Sequence, residues 1–542
     1  MDQNGTLRTS IQFIMRVILA LVCLSFLVTP STSFKILVYN SKFGQSNGHF
    51  MGTIADILVE AGHNVTSLIP IIEPSFNDNT EKSHKIYIDQ TEKTKQITEF
   101  LNSDATNWFE MDTFDFIKQF LVGTPYSDRF ALQCEGVLKE EQLIERLRNE
   151  EYDVFIAENF DMCGIGLVPL IKPRALINTA ASSPIAWMSD EFGLPSALSY
   201  NPSPTISHVD IHSMWSRLNN IISELMYYRF FASSRWMIED LFREKFGPDY
   251  PSLKGISSHA AYTLIYSEPL IDYASPTLNR VVYVGGIGAR PAKELDEHFD
   301  RLLVLRTRTV LISFGTVVMT HRIPENVKRS IVQAVSRFPD VTFIWKYENP
   351  EDAFAKETAS VASNLHLAKW IPQNDILSDT RLSAFITHGG AASTQEFMLK
   401  GKPGLSIPIF TDQPRNAGLL DKNGLGKMFD KFDLVDTDKF AAAIKDLLEN
   451  ENYRENARKL AAKLAKKPFS SKEQLIRTVE FAAEFGGSPA LRPQSYDMAF
   501  MEYHNLDIIV FLVIMFAALL VASARLAMLL LRSLVISNLK WK

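Results

Sequence analysis

The residues with the clearest chemistry lie in FITHGGAASTQE at 385–396, followed by GKPGLSIPIFTDQ at 401–413. An apolar run ends in Thr387 and His388, and Gly389 and Gly390 let a ligand approach the backbone. A helix beginning near Ser393 then offers unpaired N–H groups and the positive end of its dipole. Together these features outline a site for a diphosphate. A second stretch, FGQSNGHFMG at 43–52, places His49 between the apolar run ILVYN and residues at helical spacing. An imidazole there is the residue type that takes a proton from a nucleophile near neutral pH.

These residues need elements to position them. KILVYN reads as a buried parallel strand. Apolar residues at 54, 57, 58 and 61 predict a helix that ends at Gly62, and NVTSLIP reads as the next strand. YDVFIAE (152–158) is a later strand of the same kind. The order strand, loop, helix, strand opens a doubly wound α/β domain. The region 77–126 is mixed in charge and lacks a clear period, which suits a pocket wall, a membrane contact or a surface excursion. VVYVGGIGARP (281–291) reads as a linker. A second series follows in TVLISFGT, VTFIWKY, NLHLAKW, LSAFITHGG and GLSIPIF. The expected assembly is two Rossmann-like domains, 34–285 and 286–490, with a cleft between them. No GxGxxG follows the first strand, which argues against a dinucleotide-dependent oxidoreductase. Asp436-Thr437-Asp438 spells a metal-binding pattern but precedes FAAAIKDLL, so it reads as a helix cap and implies no metal.

Composition narrows the class further. The chain has 542 residues, and its net charge of -6 comes without a basic cluster, so nothing points to nucleic acid. Of three cysteines, Cys23 lies in a leader; Cys134 and Cys163 cannot build a disulfide framework, so a core must hold the fold. Arg8 and Arg16, then VILALVCLSFLV, then Ser31 and Ser33 read as a secretory signal over 1–33, with an uncleaved anchor as the alternative. A juxtamembrane segment, 491–507, leads to an apolar run that predicts one transmembrane helix at 508–531, with Arg525 snorkelling. Arg532, Lys540 and Lys542 follow it, whereas Asp497, Glu502 and Asp507 precede it. That bias predicts a cytosolic tail, 532–542, and a body in the lumen of the endoplasmic reticulum. The sequon Asn64-Val65-Thr66 opens a strand that reads as buried.

WIPQNDIL (370–377) and the block from His388 to Gln413 resemble the signature of UDP-glycosyltransferases, in particular the membrane-anchored animal UDP-glucuronosyltransferase type. AGHNV, YDVFIAENFDMCG and LRPQSYDMAFMEYHNLDII extend the resemblance over nearly the whole chain. It implies a GT-B fold, an inverting transfer, and UDP-glucuronate or UDP-glucose as co-substrate with no further cofactor. The acceptor is expected to be small and lipophilic, and a homo- or hetero-oligomer is left open. The resemblance assigns Gly315, Thr316, His388, Gly389, Gly390 and Ser393 to the diphosphate. It assigns Trp370 to the uracil, Gln373 to nucleotide or ribose, Glu396 to the ribose hydroxyls, and Asp412 and Gln413 to the sugar. Ala392 stands where many relatives carry asparagine or glycine.

The acceptor half departs from the family pattern. Counted back from Ala61-Gly62-His63, the family's catalytic histidine falls on Asn47 rather than His49. Asparagine there is expected to cap the helix. His49, two residues on, should diverge by roughly 200° and point away if the helix starts at Ser46, unless Gly48 loosens that turn and lets it in. Glu158 occupies the place of the aspartate that orients the family histidine, and serves either as a structural acid or as a substitute base. Two readings follow: a transferase with an altered base, and a catalytically silent relative that binds UDP-sugar or pairs with active enzymes.

Overall fold

The computed structural model describes residues 33–539 except 79, 103–108, 113–115, 184, 289–291 and 317. The secretory signal and the terminal Lys540 and Lys542 therefore lie outside the described residues. The chain forms two compact units, 1–491 and 492–542.

The first unit is built on two parallel sheets. The amino-terminal sheet contains β1 (Lys35–Tyr39), β2 (Asn64–Pro70), β3 (His84–Ile88), β4 (Val154–Glu158), β5 (Ala175–Ala180), β6 (Tyr262–Ile265) and β7 (Val281–Tyr283). Their order in space is β3-β2-β1-β4-β5-β6-β7. The second sheet contains β8 (Arg308–Ser313), β9 (Val341–Lys346), β10 (Leu365–Ala368), β11 (Leu382–Thr387), β12 (Gly404–Ser406) and β13 (Gly426–Met428), ordered β10-β9-β8-β11-β12-β13. The helices that matter here are α1 (Gln45–Glu60), α2 (Phe116–Lys139), α3 (Met214–Phe246), α4 (Gln373–Ser378), α5 (Ala391–Leu399), α6 (Gln413–Lys422), α7 (Thr437–Glu449) and α8 (Ser471–Phe485).

The continuous apolar runs in the sequence have a simple cause. A parallel sheet is covered on both faces, so successive side chains on one strand enter different cores. Ile36 and Val38 of β1 pack with Val154, Ile156 and the α1 residues Phe50, Met51, Ile54 and Leu58. Leu37 and Tyr39 pack on the opposite face with Phe155, Phe130 and Phe242, the last two from α2 and α3. The second half repeats this arrangement, with Val310 and Ile312 on one side of β8 and Leu311 on the other.

Three features differ from the sequence reading. The region 77–126 contains β3, a helix over Glu92–Leu101 and the start of α2; its charges mask an amphipathic pattern that only packing completes. Val281–Tyr283 is not linker but the last strand of the first sheet, paired with β6. Within the stretch 286–490, α8 returns to the amino-terminal half, where Leu475, Val479, Ala482 and Ala483 join the core of Ile36 and Val38. Asp436 does cap α7, accepting from the N–H groups of Asp438 (3.0 Å) and Lys439 (3.1 Å). The second unit carries α9 (Leu506–Leu539), in which the segment Leu506–Leu534 reaches a mean hydropathy of 2.8 over 18 residues and is long and apolar enough to cross a membrane.

Cys134 and Cys163 form a single disulfide inside the α2 side of the first core. They are 29 residues apart, so the chain-entropy account assigns the bridge about 3.6 kcal/mol. Thermal unfolding with and without reductant should differ by a destabilisation of that order.

Candidate active site

In an open parallel sheet the crevice forms where neighbouring strands send their connections to opposite faces. Here those points are the carboxyl ends of β1 and β4 in the first half and of β8 and β11 in the second. Both border a cleft of about 670 Å³. Asn47, His49, Gly315, Thr316, Trp370, Gln373, His388, Gly390, Ser393, Glu396, Asp412 and Gln413 all line it; Gly389 and Glu158 do not.

The diphosphate side is crowded around His388. A Cβ on Gly315 would stand 2.7 Å from His388 Cε1, and one on Gly390 would stand 2.6 Å from Nε2. Side chains at either position would displace the ring. Gly389 turns the chain at φ +83°, the left-handed region open to glycine. Burial, reinforced by the nearby Lys346 charge, pushes the His388 imidazole down to about 4, against a hydrogen bond to the Ser313 backbone. At neutral pH the ring is therefore a neutral donor. The helix expected near Ser393 starts two residues earlier, with Gly390 as its N-cap, so the N–H groups of Ala391, Ala392 and Ser393 fall in the first turn, where no intrahelical partner exists.

Lys346 was not legible as a site residue, since it looked like the polar end of an ordinary strand. Its ammonium donates to the Gly315 carbonyl at the cleft wall, and burial lowers its pKa. It places a cation beside the glycine turn, which suits a diphosphate.

Trp370 lies 69% exposed at the rim, an unusual cost for an indole unless a flat ligand covers it. Gln373 Nε2 donates to Glu396 Oε2 at 2.7 Å and to Ser393 Oγ at 3.2 Å. Burial raises the Glu396 carboxyl, against the Gln373 hydrogen bond and the Lys400 charge. Asp412 precedes α6 and accepts from Asn416 Nδ2 at 2.9 Å. Gln413 Oε1 accepts from the N–H groups of Ile409 (2.7 Å) and Phe410 (3.1 Å), which holds its loop and leaves the amide nitrogen as donor.

On the acceptor side, α1 begins at Gln45 with Gly44 as N-cap, and the first helical bond runs from Gly48 N–H to the Gly44 carbonyl at 2.9 Å. Asn47 is thus inside the first turn and caps nothing. Its Nδ2 is buried without a hydrogen-bond partner. The expectation that His49 points away also fails. The first turn meets the cleft end-on, so residues on different sides of the helix reach it, and His49 Nε2 lies against Gly288, where a Cβ would stand 2.6 Å away. Tyr126, Phe130, Phe160, Tyr227 and Phe231 supply an aromatic wall from α2, α3 and the loop after β4. Sequence periodicity did not reveal this wall, because its members come from distant segments.

Glu158 sits behind the cleft. Its carboxyl accepts from the N–H groups of Phe160 (2.7 Å) and Ala181 (3.4 Å), and burial pushes it up to about 8 despite those bonds. The folded protein therefore holds a proton there that the unfolded chain, near 4.5, does not. This contribution is complete below the unfolded value and is lost as pH rises toward about 8. Glu158→Gln should flatten the fall in stability between those values, as read from urea midpoints at a series of pH values.

Comparison with known proteins agrees with this geometry. Residues 35–540 match the family model described as UDP-glucoronosyl and UDP-glucosyl transferase. The putative UDP-glucuronosyltransferase ugt-48 of Caenorhabditis elegans is 29% identical over 89% of this chain and 92% of its own length. UDP-glucuronosyltransferase 1A7 of Mus musculus is 24% identical over 85% of each. Among solved structures, the glycotransferase of kitacinnamycin superposes with a TM-score of 0.57 at 16% identity, covering 84% of this chain and 99% of that one. Phytolacca americana UGT2, complexed with UDP-2fluoro-glucose and pterostilbene, gives 0.55 at 14% identity, with coverage of 83% and 100%. These likenesses establish the GT-B architecture, and with the family match over nearly the full length they make this chain a member of the UDP-glucuronosyl and UDP-glucosyl transferase family, a glycosyltransferase.

Proposed function

We propose that the protein transfers a sugar from a UDP-sugar to a small lipophilic acceptor by single displacement with inversion, from a body anchored in the endoplasmic reticulum membrane. The observation that carries this reading is one cleft with a glycine-lined phosphate corner on one side and an aromatic wall on the other. In the reaction, the acceptor nucleophile forms a bond to the anomeric carbon while the bond to UDP oxygen breaks. The charge left on the diphosphate is met by the first turn of α5, neutral His388 and the Lys346 ammonium. Trp370 would stack on uracil, Glu396 would accept from the ribose hydroxyls, and Asp412 with Gln413 would orient the sugar. A lumenal body is supported by the Cys134–Cys163 disulfide, which belongs to an oxidising compartment, and by α9 as the membrane span.

The proton is the unusual part. The amide of Asn47 is not a base near neutral pH. His49 is the imidazole that the amino-terminal half places on the cleft wall, and Glu158 lies behind that wall and is protonated. A phenol, with a pKa of about 10, needs a base worth roughly 10² to 10⁴ in rate. A carboxylate is already ionised and needs none, and an amine attacks through its own lone pair. The acceptors are accordingly carboxylates or amines in preference to neutral alcohols. The Asn47 amide, standing where the family pattern places its base, favours a second reading, a silent relative that binds UDP-sugar.

Conjugation of a matched phenol and carboxylate by the membrane-bound chain separates these readings. The carboxylate should be turned over faster, and Asn47→His should raise phenol transfer by about 10² or more. If His49 is the base, His49→Ala abolishes the residual phenol activity; no transfer to any acceptor, with UDP-sugar still bound, selects the silent relative. Trp370→Ala, which removes a stack worth about 1–3 kcal/mol, should raise the donor KM roughly tenfold or more.

A further inference from the structure

Asp412 and Gln413 open α6, and although Asn416 donates to the Gly389 carbonyl at 3.0 Å and Leu419 and Leu420 pack in the second half, Arg415 further along the helix is fastened to the acceptor half. Arg415 is 2% exposed; its Nη2 donates to Asp272 Oδ1 at 2.8 Å and its Nε to the Pro202 carbonyl at 3.2 Å. Its backbone N–H reaches the Pro204 carbonyl at 3.2 Å. Asp272 follows β6 in the acceptor half and is also buried. It accepts from Ser267 Oγ at 2.5 Å, from Ser183 Oγ and from its neighbour Tyr273 N–H at 2.7 Å. Burial alone would raise this carboxyl, but the Arg415 charge and the two hydroxyls outweigh it and hold it below the ordinary range.

The end of the helix meets the same loops. Lys422 Nζ donates to the carbonyls of Ile271 (3.3 Å) and Asp272 (2.5 Å), and Asn423 Nδ2 donates to Ile271 at 2.9 Å. Gly418 permits the approach between them, since a Cβ there would lie 1.9 Å from the Ser207 carbonyl. Asp272 itself does not line the cleft, whereas Arg415 does. Trp370, Gln373 and His388 stand on the turn into α4 and at the end of β11, and none of them bonds to this pair.

A buried ion pair adds little net stability compared with an apolar packing, and its best-attested use is to fix register. The geometry points to Asp272 as a positioning residue for the donor sugar. Through Arg415 it fixes the first turn of α6, and with it Asp412 and Gln413, against the acceptor half. Sugar contacts and acceptor wall then keep one spacing, so an acceptor-half residue that touches no donor atom controls how the sugar is held.

This inference rests on the transferase reading for the identity of the donor, and its test separates the two. UDP and UDP-glucose or UDP-glucuronate are titrated into the full-length solubilised protein and into Asp272→Asn, Asp272→Glu and Ser267→Ala. In Asp272→Asn, UDP affinity should stay within about threefold while the ratio of UDP-sugar to UDP affinity falls about tenfold, and kcat should fall by up to about 10² at an unchanged acceptor KM. Asp272→Glu, which keeps the charge, should retain more of that ratio. A folded Asp272→Asn with an unchanged ratio overturns the inference, as does a parallel loss of UDP affinity, UDP-sugar affinity and Tm, which marks a purely structural pair. If Asp272→Asn does not fold, Ser267→Ala decides: a smaller shift of the ratio in the same direction supports the inference, and none overturns it. A protein that binds UDP-sugar but transfers to no acceptor refutes the transferase reading, and the binding ratio still decides this one.

Discussion

Parallel strand pairing is the constraint from which the rest of this structure follows. Parallel neighbours cannot be joined by tight turns, so every strand needs a crossover that covers one face of its sheet. Both faces become buried, the strands become apolar throughout, and the polar residues are left at the strand ends. β1 pairs with both β2 and β4, and β8 with both β9 and β11. At each of these central strands the crossovers part to opposite faces. The resulting gaps receive the loops that hold Asn47 and His49 in one half and Gly315 and His388 in the other.

The corner around His388, the proposed donor site, shows how an anion site could be assembled with little formal charge. His388 is neutral, the α5 N–H groups carry partial charges, and Lys346 is the cation whose ammonium bonds the Gly315 carbonyl. Such dipoles are fixed before the ligand arrives and need not reorganise when charge develops on a leaving diphosphate. Three glycines around His388 act sterically and conformationally, keeping the ring seated and the backbone open. The acceptor half is organised differently. Its carboxyls Glu158 and Asp161 are sealed below the wall, where burial pushes them up to about 8 and about 6. The wall itself mixes aromatic rings such as Tyr126, Phe160 and Tyr227 with Asn47, His49 and hydroxyls such as Ser182 and Thr205.

Long-range attachments join the halves, and two of them involve whole helices. α8 follows the whole second domain in sequence but completes the core of the first. α6 is tied to the loops over 202–207 and 271–273 by Arg415, Lys422 and Asn423. The two Rossmann-like halves are thus interleaved rather than joined by one linker, which restricts how far the cleft can change without breaking buried bonds.

The amino-acid sequence by itself determined what depends on near neighbours. β1, β2, β4 and most of the second sheet were legible because apolar runs of strand length report burial on both faces. The glycine-lined corner around His388 was legible because Thr387-His388-Gly389-Gly390 and the start of α5 are contiguous, and Trp370 and Gln373 belong to one short turn. Tertiary structure decided whatever depends on residues far apart in the chain. It placed β7 in the sheet and returned α8 to the first core. It built the aromatic wall from α2 and α3, buried Lys346 beside Gly315, and joined Asp272 to Arg415 across 143 residues. It also set α1 end-on to the cleft, so that Asn47 and His49 both reach it although helix periodicity separates them. Periodicity describes the orientation of a side chain about its own element's axis; which way that axis faces is fixed by packing against the rest of the molecule.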